Sequence, residues 1–455
     1  MKKLTEEDIK YRYITPAIEK AGWIKEQVLM EYFFTDGQVL VRGNTVKRGK
    51  RKKADYILTH KDGQLPLAII EAKDAEHSIG AGMQQAMEYA EILHIPFAYS
   101  SNGSGFVEHD YFTGAEEELR LDQFPSNKEL WSRYIKGKGL DVRQEKIVTE
   151  PDYYDVFSQK KLRYYQRIAV GRTLEAIARG QNRILLVMAT GTGKTFTAFQ
   201  IIWKLLKTET VKRVLYLADR NILIDQTMQQ DFRPFEKIMT KVQDKSLDSS
   251  YEIYMSLYHQ LAGDEGNEPF REFKPEFFDL IIVDEFHHAA AKTYRKLIEK
   301  VKHSFLLGLT ATPYRGDRQD ILELCNNNII VNYEMRTGID MGILSPYHYF
   351  GCFDNVDYSN IKMKGNNYDI CDLEKALIIP ERDEAIIQKW KEKANEKPTI
   401  AFCCSHRHAE RMAESFIKHG INAEVYLSDT AKDKRAALIS DLQQRDIKLF
   451  VQLMC

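Results

Sequence analysis

The sequence predicts an α/β protein in three segments, and three observations carry that expectation. From about residue 156, near-continuous apolar runs alternate with helical patterns: RILLVMAT (183–190), RVLYLAD (213–219), FDLIIVDEFHH (278–288) and SFLLGLTATP (304–313). Strands buried on both faces and separated by helices imply a parallel sheet covered by helices. Before about residue 110, shorter strand-like runs mix with two helical patterns, and after about residue 336 a new strand–helix series begins.

Length and composition agree. At roughly 100–200 residues per domain, 455 residues predict about three domains. Hydrophobic residues make up 44% and charged residues 29%, which excludes a mostly disordered chain and a collagen-like repeat. No apolar run approaches the roughly 18–20 residues that span a bilayer, so a membrane-embedded protein is excluded. The opening MKKLTEEDIKYRYI lacks the apolar core of a secretory signal. Six cysteines form no C-x-x-C pair, so they read as small buried hydrophobes in a reducing cytoplasm. The formal net charge of -1, from 65 Lys+Arg against 66 Asp+Glu, gives no global pull toward nucleic acid.

Taken in chain order, the first segment opens with a helical pattern, Ile14, Ala17, Ile18 and Ala21, ending at Gly22-Trp23. Strand-like runs QVLVRG (38–43), ADYILTH (54–60) and LPLAIIEAK (65–73) follow, then a helix in AGMQQAMEYAEIL (81–93) and a strand in PFAYSS (96–101). This predicts a short sheet with helices on both sides. Residues 111–155 lack clean periodicity and read as a connector. The third segment reads as strand PTIAFCC (398–404), helix HRHAERMAESFIKHG (406–420), strand AEVYLS (423–428), a helix around AKDKRAALISDLQQ (431–444) and strand IKLFVQLMC (447–455).

The strongest motif is MATGTGKT (188–195), which follows an apolar strand and opens a helix. Gly191 and Gly193 permit a tight loop, with Thr192 between them, whose backbone N–H groups can converge on phosphate oxygens. The helix N-terminus adds its positive dipole end. Lys194 brings a point charge to the β- and γ-phosphates, and Thr195 offers a hydroxyl to Mg²⁺. Met188 stands where the general phosphate-loop pattern has its first glycine. Downstream, the strand LIIV (280–283) ends at Asp284, Glu285, Phe286 and His287. There Asp284 can hold Mg²⁺ through water, while Glu285 polarises an attacking water. These motifs predict ATP and Mg²⁺ as cofactors.

The order of phosphate loop, DEFH and then Thr310-Ala311-Thr312 resembles superfamily 2 helicases and translocases over residues from about 160 to 455. The resemblance implies a RecA-like motor domain followed by part of a second. It also implies that Gln166 reads adenine and that Thr310 and Thr312 couple nucleotide state to DNA contacts. Asp219, Arg220 and Gln226 lie where that family has a strand-contacting segment.

A second constellation lies near the N-terminus. Asp55 precedes Glu71 by sixteen residues, and Glu71 and Lys73 fall on one face of a strand by its period of two. Two carboxylates and a lysine suit a hard-oxygen Mg²⁺ site for phosphodiester hydrolysis. Gln85 and Tyr89, four apart, share one face of the helix that follows. This D…E-x-K…Q-x-x-x-Y series resembles the PD-(D/E)xK-type nuclease domain of the R (HsdR-type) subunits of type I restriction enzymes. Glu6 sits where that family has an acid on its first helix. The basic run KRGKRKK (47–53) stands before Asp55, on an expected hairpin; a DNA backbone clamp and a solvated loop remain equal readings.

The resemblance implies a division into a nuclease domain with connector (1–145), a first motor domain (146–335) and a partial second motor domain (336–455). It implies ATP-dependent translocation along double-stranded DNA coupled to cleavage of unmethylated foreign DNA. Methyltransferase and specificity subunits are the implied partners. The family's second motor domain continues to an arginine-bearing segment, whereas this sequence reaches Cys455 on a strand. The expectation is therefore a truncated R subunit that binds ATP, hydrolyses it poorly and does not translocate. A repair or antiviral nuclease–helicase, a helicase with a binding-only N-terminal domain, and an inactive fragment stay open.

Overall fold

The computed structural model describes residues 4–34, 39–42, 45–48, 52–61, 64–156, 159–242, 250–262, 274, 276–288, 305–313, 321–353, 356–364, 367–394, 397–427, 430–445 and 447–453. The chain forms two compact units, Met1–Tyr347 and His348–Cys455.

The first unit begins with a helix in three parts: α1 (Glu6–Ile9), a π-turn (Lys10–Ile14) and α2 (Thr15–Lys20). Thr5 caps it, its hydroxyl accepting from the Asp8 N–H. Pro16 explains the widened turn. It lacks an N–H, and its ring crowds the carbonyl four residues back, so the helix relaxes and Thr15 donates to the Lys10 carbonyl instead.

Strands β1 (Val28–Phe33), β2 (Val39–Arg42), β3 (Thr45–Arg48), β4 (Lys53–His60) and β5 (Leu65–Ala72) follow. Helix α3 (Met83–Leu93) and strands β6 (Phe97–Ser101), β7 (Phe106–Asp110) and β8 (Ala115–Leu119) complete a six-stranded sheet of order β1-β4-β5-β6-β7-β8. Only β5 and β6, joined through α3, run parallel. Within QVLVRG, Val39–Arg42 form a strand, β2, but it pairs with β3 as a separate hairpin and not with this sheet. The edge strand β1, whose side chains are half-exposed, carries too little apolar signal to be read from sequence.

The connector reading of residues 111–155 is corrected. They hold β8, α4 (Asn127–Lys138) and α5 (Val142–Thr149). Each helix has a capping box, Ser126 with Glu129 and Asp141 with Gln144. Leu130, Trp131, Tyr134 and Val148 are buried with Ile14, Ile18, Tyr56 and Ile70 on one face of the sheet. The other face packs Ile57 and Ile69 against Ala86 and Ala90 of α3. Each buried leucine, isoleucine or valine side chain contributes about 2 kcal/mol by leaving water.

Helix α6 (Tyr164–Ala178) leads into a seven-stranded sheet. Its members are β9 (Arg183–Met188), β10 (Val214–Ala218), β11 (Met239–Lys241), β12 (Ile253–Leu257), β13 (Leu280–Val283), β14 (Phe305–Thr310) and β15 (Ile329–Tyr333), with α7 (Lys194–Lys207) after β9 and α8 (Asn221–Gln229) after β10. All pairings are parallel, in the order β11-β12-β10-β13-β14-β9-β15. Four strands follow the sequence reading and three, β11, β12 and β15, add to it. Gly308 on β14 lets the Phe286 ring lie against the sheet, since a Cβ there would meet that ring at 2.7 Å.

The second unit contains a three-stranded parallel sheet of Thr399–Cys403, Leu449–Leu453 and Ala423–Tyr426, in that spatial order. Helices His406–Lys418 and Lys432–Gln444 connect its strands, as the periodicity predicts. Among the described cysteines, Cys325 and Cys403 are buried, but Cys352 and Cys371 are exposed. The uniform reading as buried small hydrophobes therefore fails for the latter two, which sit outside the apolar clusters; Cys455 lies outside the described residues. Among the described residues, no helix is long and apolar enough to cross a membrane.

Candidate functional site

Two sites emerge, each at the ends of adjacent strands. In the N-terminal sheet, β1 and β4 pair Met30 with Tyr56 and Tyr32 with Ala54, which sets Glu31 across from Asp55. β4 and β5 pair Tyr56 with Ile70, so the next step sets Asp55 across from Glu71. Glu31, Asp55 and Glu71 thus form a row across three neighbouring strands, whose spacing is about 4.8 Å. Asp55 and Glu71 are buried, at 4% and 1% exposure.

The protein holds Asp55 through both oxygens. Oδ2 accepts from the Ala72 N–H at 2.8 Å, and Oδ1 meets the Lys10 ammonium at 3.3 Å. Glu71 differs: its Oε1 is buried with no hydrogen-bond partner. Burial, and next the charge of Asp55, push the Glu71 carboxyl up to about 8. Glu6 is also raised, by partial burial and then by Asp55, which puts it within electrostatic range of the pair. The Lys73 ammonium donates to Gln85 Oε1 at 3.0 Å, and Gln85 Nε2 donates to the Tyr89 hydroxyl at 3.3 Å. The five residues of the D…E-x-K…Q-x-x-x-Y series are therefore brought together.

Gly82, just before α3, makes this closeness possible. A Cβ there would lie 2.9 Å from Ser100 Oγ and 3.2 Å from Glu71 Cβ. The Gly82 N–H instead donates to that Ser100 hydroxyl at 2.9 Å. Of the basic run, Lys52 pairs with Glu88 and Lys53 with Glu31. Residues 49–51 lie outside the described residues.

Sequence reasoning missed Lys10 and Glu31. Lys10 is 1% exposed and pairs with Glu7, Glu31 and Asp55. A signal existed: Lys10 precedes Ile14 by four, and so falls on the apolar stripe of its helix. Glu31 has a φ of +53°, rare for a residue with a side chain. A hard cation fits the Asp55–Glu71 gap, because a buried carboxyl oxygen there has no hydrogen-bond partner. Among the described residues, no three His, Cys, Asp or Glu side chains converge as a ready metal cluster, so any ion there would complete its shell with other ligands.

The second site lies at the C-terminal ends of β9, β13 and β14, where open parallel sheets bind ligands. Gly191 and Gly193 have φ of +84° and +82°, and α7 begins at Lys194 with Thr195 in its first turn. Thr192 is fully buried, and its carbonyl accepts from both the Tyr165 hydroxyl at 3.0 Å and Gln166 Nε2 at 2.9 Å. Gln166 Oε1 accepts from the Arg163 N–H. The glutamine amide thus ties the N-terminal end of α6 to the loop, a role that its spacing did not announce.

Lys194 Nζ lies 4.0 Å from Glu285 Oε1, and Glu285 Oε2 is 3.3 Å from His287 Nδ1. His287 and next Lys194 hold the Glu285 carboxyl below its usual range, against burial. Asp284 moves the other way, raised by burial and by its neighbour Glu285, while Tyr216 donates to its Oδ2 at 3.1 Å. Thr310 Oγ1 is 3.4 Å from His287 Nδ1, donates to the Thr312 carbonyl and accepts from the Thr312 N–H. Lys194, Asp284, Glu285, His287, Thr310 and Thr312 therefore form one network. Asp219 and Arg220 follow β10, and Gln226 is exposed on α8.

A parallel sheet carrying this loop and acidic strand end defines a helicase-like P-loop domain. Residues 159–315 match the family model described as type III restriction enzyme, res subunit. The chain is 40% identical to the endonuclease subunit of the Escherichia coli type I restriction enzyme EcoAI, over 92% of this chain and 54% of that one. The corresponding subunit of EcoKI from Escherichia coli K12 is 23% identical over 90% of this chain and 43% of its own length. A solved fragment from Vibrio vulnificus, assigned as an HsdR subunit of a type I restriction enzyme, superposes with a TM-score of 0.75 at 30% identity, covering 100% of this chain and 84% of that one. The chain belongs to the family of R (HsdR) subunits of type I restriction enzymes. It spans about half the length of the curated relatives it matches.

Proposed function

We propose that this chain supplies the DNA-cleaving and ATP-binding parts of a type I restriction subunit. In this reading residues 1–145 are a PD-(D/E)xK-type nuclease domain, 146–335 the first RecA-like motor domain and 336–455 part of the second. Within the whole R subunit, ATP-driven translocation along double-stranded DNA leads to Mg²⁺-dependent cleavage of unmethylated foreign DNA. The partners would be methyltransferase and specificity subunits, as in the family's type I enzymes.

The observation that carries the reading is the buried, unpartnered Glu71 oxygen beside Asp55, with Lys73 held two residues further on by Gln85. Asp55 and Glu71 would hold Mg²⁺, which when bound supplies a Lewis acid for the phosphodiester oxygens. Lys73, fixed by Gln85 and through it by Tyr89, places an ammonium beside the carboxylates, where it orients water and offsets charge on the phosphate. In the motor domain, the N–H groups of 191–195 and Lys194 would cradle ATP phosphates. Thr195 and Asp284 would hold the accompanying Mg²⁺. Glu285, its carboxylate ionised beside His287, can accept a proton from an attacking water. Thr310, joined to His287 and Thr312, would carry nucleotide state toward DNA.

The test is Mg²⁺-dependent nicking of supercoiled plasmid beside ATP binding. Glu71→Ala and Lys73→Ala should lose nicking by about 10²–10³-fold, the usual loss of one electrostatic group, and keep ATP binding. Lys194→Ala should do the reverse. Equal nicking by the wild type and Glu71→Ala would sink the nuclease assignment.

A further inference from the structure

The row Glu31–Asp55–Glu71 contains two gaps between carboxylates on neighbouring strands. They are filled differently. Between Glu31 and Asp55 sits the Lys10 ammonium, 2.5 Å from Glu31 Oε1 and 3.3 Å from Asp55 Oδ1, with Glu7 as its third partner. Between Asp55 and Glu71 no ammonium among the described residues bridges the two carboxyls, and Glu71 Oε1 has no hydrogen-bond partner. We propose that Lys10 is a positioning residue that acts as a built-in cation, occupying one of the two gaps, anchoring Asp55 and restricting the site to a single divalent ion.

Four features support this assignment. An ordinary surface lysine keeps its ammonium in water, whereas Lys10 is 1% exposed and its three donors face three carboxylates. The backbone is shaped on both sides of the contact. Lys10 opens a π-turn, and Glu31 takes a φ of +53° while β1 keeps the same register with β4 on either side of it. Lys53 reaches the other oxygen of Glu31, so Glu31 is held from two sides. Asp55 Oδ2 is meanwhile fixed by the Ala72 N–H, the residue after Glu71. Asp55 is thereby locked in the orientation that turns it toward Glu71, and the ammonium excludes a second ion from its far side. The inference rests on the reading of Asp55 and Glu71 as metal ligands.

The experiment is Mn²⁺ titration by calorimetry on the nucleotide-free full chain, comparing wild type, Lys10→Met, Lys10→Gln and Glu71→Gln. Wild type should bind one ion that Glu71→Gln loses, and Lys10→Met should bind one ion more than wild type. A wild type with its one ion and a Lys10→Met variant with no gain would overturn the role of Lys10 while leaving the nuclease reading intact. No Glu71-dependent ion in wild type, but a gain in Lys10→Met, would uphold the built-in cation and overturn the metal reading. No ion in either defeats both. If the Lys10 variants melt out in metal-free buffer, recovery of their melting temperature by Mn²⁺ beyond the wild-type shift upholds the proposal, and no recovery overturns it. A lysine with a purely structural role would not change ion stoichiometry.

Discussion

The N-terminal carboxylate site and the phosphate-loop site use similar parts in opposite ways. Each pairs two acids with a lysine at the ends of neighbouring strands. In the phosphate-loop site the protein has satisfied itself. Lys194 faces Glu285, His287 bonds Glu285, Tyr216 and the Glu285 N–H bond Asp284, and Gln166 and Tyr165 bond the loop carbonyl. In the N-terminal site Lys10 bonds Asp55 and Glu31, Lys73 bonds Gln85, and a Glu71 oxygen is left bare. The difference teaches that the phosphate-loop site meets its charges with internal contacts, which a ligand would have to displace. The N-terminal site leaves one buried carboxyl oxygen, Glu71 Oε1, without a hydrogen-bond partner.

The largest expected effect tests that deficit through pH. Glu71 is raised to about 8 in the folded chain and has its ordinary value of about 4.5 when unfolded. The unfolded state therefore loses its proton first. Without divalent ions, the contribution of Glu71 to stability is full below about pH 4.5 and declines as pH rises to about 8. The decline is a few kcal/mol, at about 1.4 kcal/mol per pH unit. Denaturant melts across this range should show that slope. Saturating Mg²⁺ should flatten it, because the ion replaces the proton, and Glu71→Gln should remove it. A slope unchanged in Glu71→Gln would break the comparison.

A smaller effect tests the self-satisfied site. Gly308→Val inserts side-chain atoms where the Phe286 ring and Leu185 already stand, at 2.7 and 2.9 Å from an added Cβ. Overpacking should cost about 1–3 kcal/mol. It should also weaken ATP binding by shifting the Asp284–Glu285 corner, while Mn²⁺ binding at the N-terminal site stays unchanged. Calorimetric titrations of the two ligands on one variant check this.

The smallest effect concerns the brace. Gln166→Leu leaves the Arg163 N–H uncapped and removes one of two donors to the Thr192 carbonyl. The expected loss is about 1 kcal/mol in thermal or denaturant unfolding, with a modest fall in ATP affinity, because Tyr165 still holds the loop. A loss as large as that of Gly308→Val would mean that the loop is less self-supported than its bonds indicate.

How much of this was legible in the sequence follows from the range of the forces involved. The phosphate loop could be read because its glycines, lysine and helix start act within a few residues. The alternation of β9, α7 and β10 was equally plain, since buried parallel strands are apolar throughout. Asp55, Glu71, Lys73, Gln85 and Tyr89 were readable because two successive strands, one crossover helix and their periods bring them together. The strands β1, β11, β12 and β15 were missed where the runs are short or half-exposed. Helices α4 and α5 were missed although their capping boxes were in view, because charged residues mask their thin apolar stripes.

By itself, the sequence determined the backbone devices: where the loop turns left-handed at Gly191 and Gly193, where Pro16 interrupts the helix, and which face of β5 bears Glu71 and Lys73. These depend on steric limits within a residue or a turn. Only the tertiary structure decided which charges meet. Lys10 reaches Glu31 and Asp55 across separations of 21 and 45 residues, and the absence of a partner leaves Glu71 Oε1 bare. Electrostatic energy in a folded chain depends on desolvation and on distances between strands, and neither exists until the sheet has paired.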